Sequence, residues 1–330
     1  MKKSVWITWD DHRRSRELAA HWGMSYKVFE YSGSMFIRYI KLSTKTLMYM
    51  SKNSPDIIFC QNPSVVLSAL LTFFCNIKKI TLVVDRHSNF KIASRKSLLP
   101  KWIIFHLVSD YSLQNADLTI VTNSEAANYV SSIGGKPIIL PDKLPSDLSG
   151  VKRKLEGDVN FLFICSFSSD EPVDAVLACF KRLDKNYHVY VTGNFKKHRD
   201  WQQYRDDENI HFLGFVNEDT YLSYLKSVDV TIVLTNMPMT LNCGSYESVK
   251  AGKPQVVADS LVIKEWFRSG AVYVDPKDEN SIFYGIRETI ERLDDLKIAQ
   301  RKFSETLESD WSVLEEKFRR AVTQNLGHKF

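Results

Sequence analysis

The stretch that decides the fold is TLNCGSYESVKAGKPQVVADS, residues 240–260, with the apolar run VDVTIVL at 228–234 before it. The run has the length and β-branched content of a buried strand. Gly244 and Ser245 suit a helix start, since glycine lets backbone come close to a ligand and serine can cap. Gly252-Lys253-Pro254 ends that helix, because glycine stops it and proline cannot continue it. Pro254 to Asp259 then reads as a second strand. A strand, a loop and the free N–H groups of a helix start make a natural anion site. Glu247 falls in the first turns of this helix, on the ligand side of a parallel sheet.

The same alternation extends outward through the chain. Strands are read at 4–9, 27–31, 56–60, 80–84, 117–122 and 137–140, with helices between them, among them 35–50, 65–75 and 124–133. PDKLPSDLSG at 141–150 is the clearest linker. The pattern restarts with strands at 160–165, 188–192, 210–212 and 271–274, helices at 173–182 and 219–227, and amphipathic helices at 281–293 and 310–322. This spacing predicts an α/β chain with two Rossmann-like, doubly wound parallel-sheet domains facing across a cleft. The first is expected over 1–150 and the second over 151–305. A last helical piece, 306–330, is expected to pack back on the first domain.

Composition narrows the classes of function. At 330 residues the chain has room for two cores. No segment approaches a transmembrane span, and the short apolar start at Val5–Ile7 is cut by Asp10-Asp11, so a buried strand is expected there rather than a signal peptide. The five cysteines are scattered without metal-ligand spacing, which fits free thiols in a reducing cytoplasm. Residues 1–150 hold 19 Lys/Arg against 11 Asp/Glu, a balance of +8; the remainder hold 25 against 28, a balance of −3. The basic half should prefer an anionic partner. No nucleic-acid-binding module is legible, so no nucleic acid is expected. Arg86 to Ser109 carries five Lys/Arg and no acid, mixed with Leu98, Leu99, Trp102, Ile103 and Ile104. The apolar residues alone read as a core-facing helix. The acid-free run puts Lys96, Lys101 and Trp102 on an anionic membrane surface, which predicts a cytoplasmic, peripheral protein at the inner face of the membrane.

Ligands of open α/β sheets bind beyond the carboxyl ends of the strands. That rule gathers Asp10–Arg14, Gln61–Asn62, Asp85–Ser88, Ser166–Glu171, Gly193–Asn194, Phe215 and Met239–Glu247 onto two facing edges. His12 and Arg14 read equally as cleft residues or as part of a solvated helix start. Asp85 and His87 form a strand-end carboxylate–imidazole pair, the pattern of a catalytic or a structural hydrogen bond. Asp170 and Glu171 precede a helix, which fits a cap as well as a ligand contact.

Glu247 followed by Ala251-Gly252-Lys253-Pro254 resembles the nucleotide-sugar segment of GT-B glycosyltransferases, the family-4-like, group 1 kind of bacterial surface-polysaccharide synthesis. Ser166–Pro172, Thr192-Gly193-Asn194, Phe212–Phe215, Thr240–Glu247 and Asp85-x-His87 occur in the order of that branch. The resemblance implies a transferase moving a hexosyl group from a nucleotide-diphosphate sugar to a glycan, lipid-linked acceptor. It implies retention of configuration and no metal or other cofactor. It places the ribose on Glu247, the donor on Thr240, Asn242, Gly244, Ser245, Ser166, Asp170, Gly193, Asn194 and Phe215, and His87 with Asp85 at the sugar. His12 and Arg14 are candidates for acceptor or phosphate. Two departures stand out. Met239 occupies the place of a family glutamate, and the loop Ser168–Glu171 lacks the family's cationic pair, for which Lys196, Lys197 or Arg14 are the candidate substitutes. These departures keep two other readings open: a non-catalytic transferase-like partner, and a nucleotide-sugar epimerase of the same architecture.

Overall fold

The computed structural model describes residues 3–61, 64–87, 90–146, 148 and 150–326. Asn62, Ser88, Asp147 and Ser149, which figure in the sequence reading, lie outside the described residues. The chain divides into two compact units: Met1–Asp142 with Ser312–Phe330, and Lys143–Trp311.

The first unit runs β1 (Ser4–Thr8), α1 (Arg13–His21), β2 (Ser25–Val28), α2 (Met35–Asn53), β3 (Ile57–Gln61), α3 (Val65–Lys78), β4 (Thr81–Asp85), α4 (Pro100–Asn115), β5 (Leu118–Val121), α5 (Ser124–Ser132) and β6 (Pro137–Ile139). Its strands lie in the order β2-β1-β3-β4-β5-β6, every pair parallel. β3 and β5 are buried along their whole length, which is why they read as unbroken apolar runs rather than alternating ones. β2 starts two residues before the sequence-read strand and stops at Val28. It is an edge strand whose residues alternate between exposed and half-buried, so its apolar signal is weak.

The second unit runs β7 (Val159–Phe163), α6 (Val173–Arg182), β8 (Tyr187–Thr192), β9 (Ile210–Gly214), α7 (Glu218–Ser227), β10 (Val230–Val233), α8 (Cys243–Lys250), β11 (Gln255–Ala258), α9 (Leu261–Trp266), β12 (Ala271–Val274), α10 (Glu279–Glu291) and the start of α11 (Leu293–Leu326). The sheet order is β12-β11-β10-β7-β8-β9, again all parallel. The two six-stranded sheets are the doubly wound pair that the sequence predicts.

Two readings need correction. α8 begins at Cys243, with Asn242 at its cap position, so Ser245 sits inside the first turn with its N–H bonded to the Asn242 carbonyl at 3.0 Å. The helix does end as read: Gly252 has φ +66 and donates to the Val249 carbonyl. The amphipathic piece read at 310–322 is part of α11, a single helix of 34 residues. No glycine or proline interrupts 293–326, so nothing in the backbone stops it. Its distal part belongs to the first unit, where Phe318 stacks on Trp22 at 4.8 Å between ring centres and Glu315 accepts a hydrogen bond from the Trp22 indole at 2.9 Å. Among the described residues no helix is long and apolar enough to cross a membrane.

Candidate functional site

In the second unit, strand order reverses between β7 and β10, and the chain leaves both strands at their carboxyl ends there. A crevice outside such a reversal is where open α/β sheets bind ligands. Asp170 joins the two loops that meet at this point. Its carboxylate accepts from the Thr235 hydroxyl, and its backbone carbonyl accepts from the Asn236 N–H at 2.8 Å. Glu171 organises the loop after β7 by accepting from the backbone N–H groups of Ser166 and Ser168 at 2.9 and 2.8 Å. Both acids therefore shape the loop. Neither caps α6, whose cap position is Pro172.

A cavity of about 280 Å³ opens beside this loop, at the carboxyl ends of β7, β8 and β9. Ser166, Gly193, Asn194 and Phe215 line it together, as do Lys197 and Tyr221. Phe215 is 94% exposed, a large apolar ring held at the cavity mouth. Gly193 has φ +90, and a Cβ there would lie 2.4 Å from the Cys165 carbonyl oxygen, so only glycine fits where β8 passes the loop after β7. Tyr221 was not singled out in the sequence. Its hydroxyl donates to the Glu247 carboxylate and ties α8 to the cavity wall. No local pattern marks a tyrosine 26 residues upstream as the partner of that acid.

The start of α8 stands at the carboxyl end of β10. Gly244 packs so tightly on Ile164, which follows β7, that a Cβ would meet that side chain at 3.0 Å. Asn242 makes no capping bond with its side chain, and its Oδ1 is buried without a hydrogen-bond partner among the described residues. Thr240 donates to the Pro238 carbonyl at 3.1 Å, and Met239 adopts a left-handed φ of +56 in the same loop.

The first unit has its own buried charge cluster. Asp85, at the carboxyl end of β4, is wholly buried and accepts from Arg14 Nη2 and Nε at 3.1 and 3.2 Å. The Arg14 guanidinium also donates to the Leu140 carbonyl at 2.8 Å and to Asp142. Arg14 is thus a structural cation inside the unit, with its donors committed, rather than an open phosphate ligand. His87 Nδ1 lies 3.1 Å from Asp85 Oδ2. An ionised carboxylate only accepts, so Nδ1 carries the proton and Nε2 holds the lone pair in the neutral ring. Burial alone would push the Asp85 carboxyl up; Arg14 and then His87 outweigh it and hold it well below the usual carboxylate range. The His12 ring packs against His87 at 4.8 Å between centres. Burial, and then the His87 charge, lower the His12 pKa, so its ring favours the neutral form.

Lys96, Lys101 and Trp102 sit on a short 3₁₀ turn and the start of α4. The face of α4 differs from the core-facing reading. Its buried side carries His106, Ser109, Ser112 and Leu113, while Leu98, Leu99, Ile103, Ile104 and Leu107 point outward, Leu98 being 89% exposed. Among the described residues, no group of three or more His, Cys, Asp or Glu is placed to hold a metal ion.

Residues 158–292 match the family described as glycosyl transferases group 1. The second unit is therefore a group 1, family-4-like glycosyltransferase domain, and the paired parallel sheets are the GT-B architecture. Sucrose-phosphate synthase from Thermosynechococcus elongatus superposes with a TM-score of 0.77 at 13% identity, covering 98% of this chain and 99% of that one. Anabaena HepE in complex with UDP gives 0.73 at 12% identity, covering 98% and 100%. The lipopolysaccharide outer core galactosyltransferase WaaB gives 0.63 at 12% identity, covering 97% and 99%. Comparison with curated proteins gives no significant match.

Proposed function

We propose that the chain transfers a hexosyl group from a nucleotide-diphosphate sugar to a lipid-linked glycan at a membrane surface. The observation that carries this reading is the cavity beside the strand-order reversal of a group 1 domain, with Glu247 tied to its wall residue Tyr221. In this reading Glu247 takes the ribose hydroxyls, and the backbone at Gly193 and the start of α8 take the diphosphate. Lys197, at the cavity, supplies the cation that the loop Ser168–Glu171 lacks. The C1–phosphate oxygen bond breaks and the acceptor oxygen bonds to C1. The acceptor proton passes to the leaving phosphate, so neither a metal nor a strong protein base is required. His87, oriented by Asp85, acts at the sugar. The first unit takes the acceptor, with His12 beside His87 and the outward apolar and basic residues of α4 against the lipid.

HepE structures with UDP and with UDP-glucose make uridine nucleotides the first ligands to try. Calorimetric titration of nucleoside diphosphates and their sugars tests the site. Glu247→Ala should weaken nucleotide binding about ten- to hundredfold, from the ~1.5–3 kcal/mol of hydrogen bonds to a charged group. Unchanged affinity overturns the assignment. Intrinsic transfer or donor hydrolysis excludes a non-catalytic partner, and an isomerised donor without acceptor would reveal an epimerase. The anomeric configuration of the product, read by NMR, decides retention.

A further inference from the structure

A concentration of positive charge around a cavity lies at the opposite, amino ends of the second unit's strands. There a cavity of about 580 Å³ opens where α8 turns into β11 and α7 into β10. Lys152, Lys226, Lys250, Lys253, Lys297 and Arg301 line it, against Asp229 as the one acid in the lining. Their partners do not cancel this charge. Lys297 pairs with Asp229 at 2.8 Å and Lys250 with Glu308 at 2.7 Å. Lys253 donates to the carbonyls of Lys226 and Val228 at 2.9 and 2.6 Å, and Lys226 to the Gly150 carbonyl at 3.2 Å. Lys152 and Arg301 have neither an ion pair nor a hydrogen bond among the described residues.

The carboxyl ends of α7 and α8 both reach this place, and together they supply roughly one negative charge. With Asp229 and Glu308 counted as well, an excess of about three positive charges is left. The cations repel one another at Lys253. Burial and then Lys152, with Lys297 and Arg301 behind it and only Asp229 opposing, lower its pKa to about 8. A concave site with uncompensated lysines and an arginine fork matches the charge and the donor geometry of phosphate oxygens.

We propose that this cavity is a second anion site, separate from the nucleotide pocket, that binds a phosphate group, either free in solution or on a lipid headgroup. The site uses Lys152 and Arg301 as its open donors, and Lys253 as a half-buried one whose ammonium gains a counter-charge on binding.

The test is titration of inorganic pyrophosphate at constant ionic strength, with sodium chloride as the matched control. The wild type should bind saturably. The Lys152→Glu/Arg301→Glu variant should bind about tenfold more weakly or worse, as expected for loss of two charge-assisted contacts. Neither residue makes an ion pair or hydrogen bond among the described residues, so the variant should keep the wild-type circular dichroism. Lys152→Ala/Arg301→Ala, which adds no new charge, should show the same direction of change. Two further arms separate the sources. Pyrophosphate binding without flotation on phosphatidic acid vesicles assigns a free phosphate. Flotation that the double substitution abolishes and pyrophosphate competes away assigns a headgroup. Equal pyrophosphate affinity in wild type and double variant overturns the proposal, as does loss of binding in a folded Gly193→Ala variant alone, which would place the pyrophosphate in the nucleotide pocket.

Discussion

Asp85 stays ionised in a fully buried position because Arg14 and His87 hold its charge, and Arg14 in turn rests on Asp142. Removing one member of such a cluster leaves an uncompensated charge. Asp85→Asn should therefore cost about 3–5 kcal/mol in denaturant unfolding of the first unit. The pH dependence follows from the direction of the shift. The folded carboxyl titrates below its unfolded range of about 4, so its contribution is complete above that range and disappears as the pH falls below it. Stability measured from pH 6 down to pH 2 should fall more steeply for the wild type than for Asp85→Asn. Gly193 makes a different demand. Its φ of +90 and the 2.4 Å approach of the Cys165 oxygen make Gly193→Ala cost about 1–3 kcal/mol from backbone strain alone, with loss of nucleotide binding in the same variant. The pairing of Asp85 with His87 was visible in sequence because only Arg86 separates them. The roles of Arg14 and Asp142 were not, because bonds that span 71 and 128 residues leave no local pattern.

At the scale of elements, the strand–helix alternation was legible because buried parallel strands are short apolar runs, and α6 and β12 fall where the sequence puts them. Legibility failed where burial is one-sided. The edge strand β2 shifted, and α8 has Asn242 rather than Ser245 at its cap position, because both lie where polar residues satisfy several roles. α4 is the clearest case. A helix normally turns its apolar residues to the core, yet here serines and a histidine are on the buried side, and the Ser112 hydroxyl lies 3.3 Å from that of Thr72 on α3. The leucines and isoleucines face out beside Lys96 and Lys101. Such a face is stable in contact with something apolar and anionic, as a bilayer surface is. Lys96→Glu/Lys101→Glu should reduce partitioning onto vesicles with anionic lipid at least about tenfold, at ~1 kcal/mol per basic residue, and have little effect on neutral vesicles. Flotation unchanged by the substitution would remove the surface role of α4.

The whole molecule holds two cores of similar kind, one for each parallel sheet, and α11 supplies residues to both units. That single helix explains why the first unit is discontinuous in sequence: its sheet comes from the first 142 residues and a covering helix from residues after 311. Phe318 is the anchor of that cover. It is fully buried, stacks on Trp22, and meets Phe59 of β3 edge-on at 6.1 Å. Truncating a buried phenylalanine in such an aromatic cluster costs ~3–5 kcal/mol. In a chain with two cores the loss need not fall on one cooperative transition. Calorimetry of Phe318→Ala should lower the component that belongs to the first unit by roughly 10 °C, at about 2–4 °C per kcal/mol for a unit of this size. Gly193→Ala should lower the other component instead. Nucleotide should then raise the second component in the wild type and in Phe318→Ala alike, because a ligand stabilises the unit that binds it. If Phe318→Ala shifts both components equally, the cover is part of a common core and the two-unit account of stability fails.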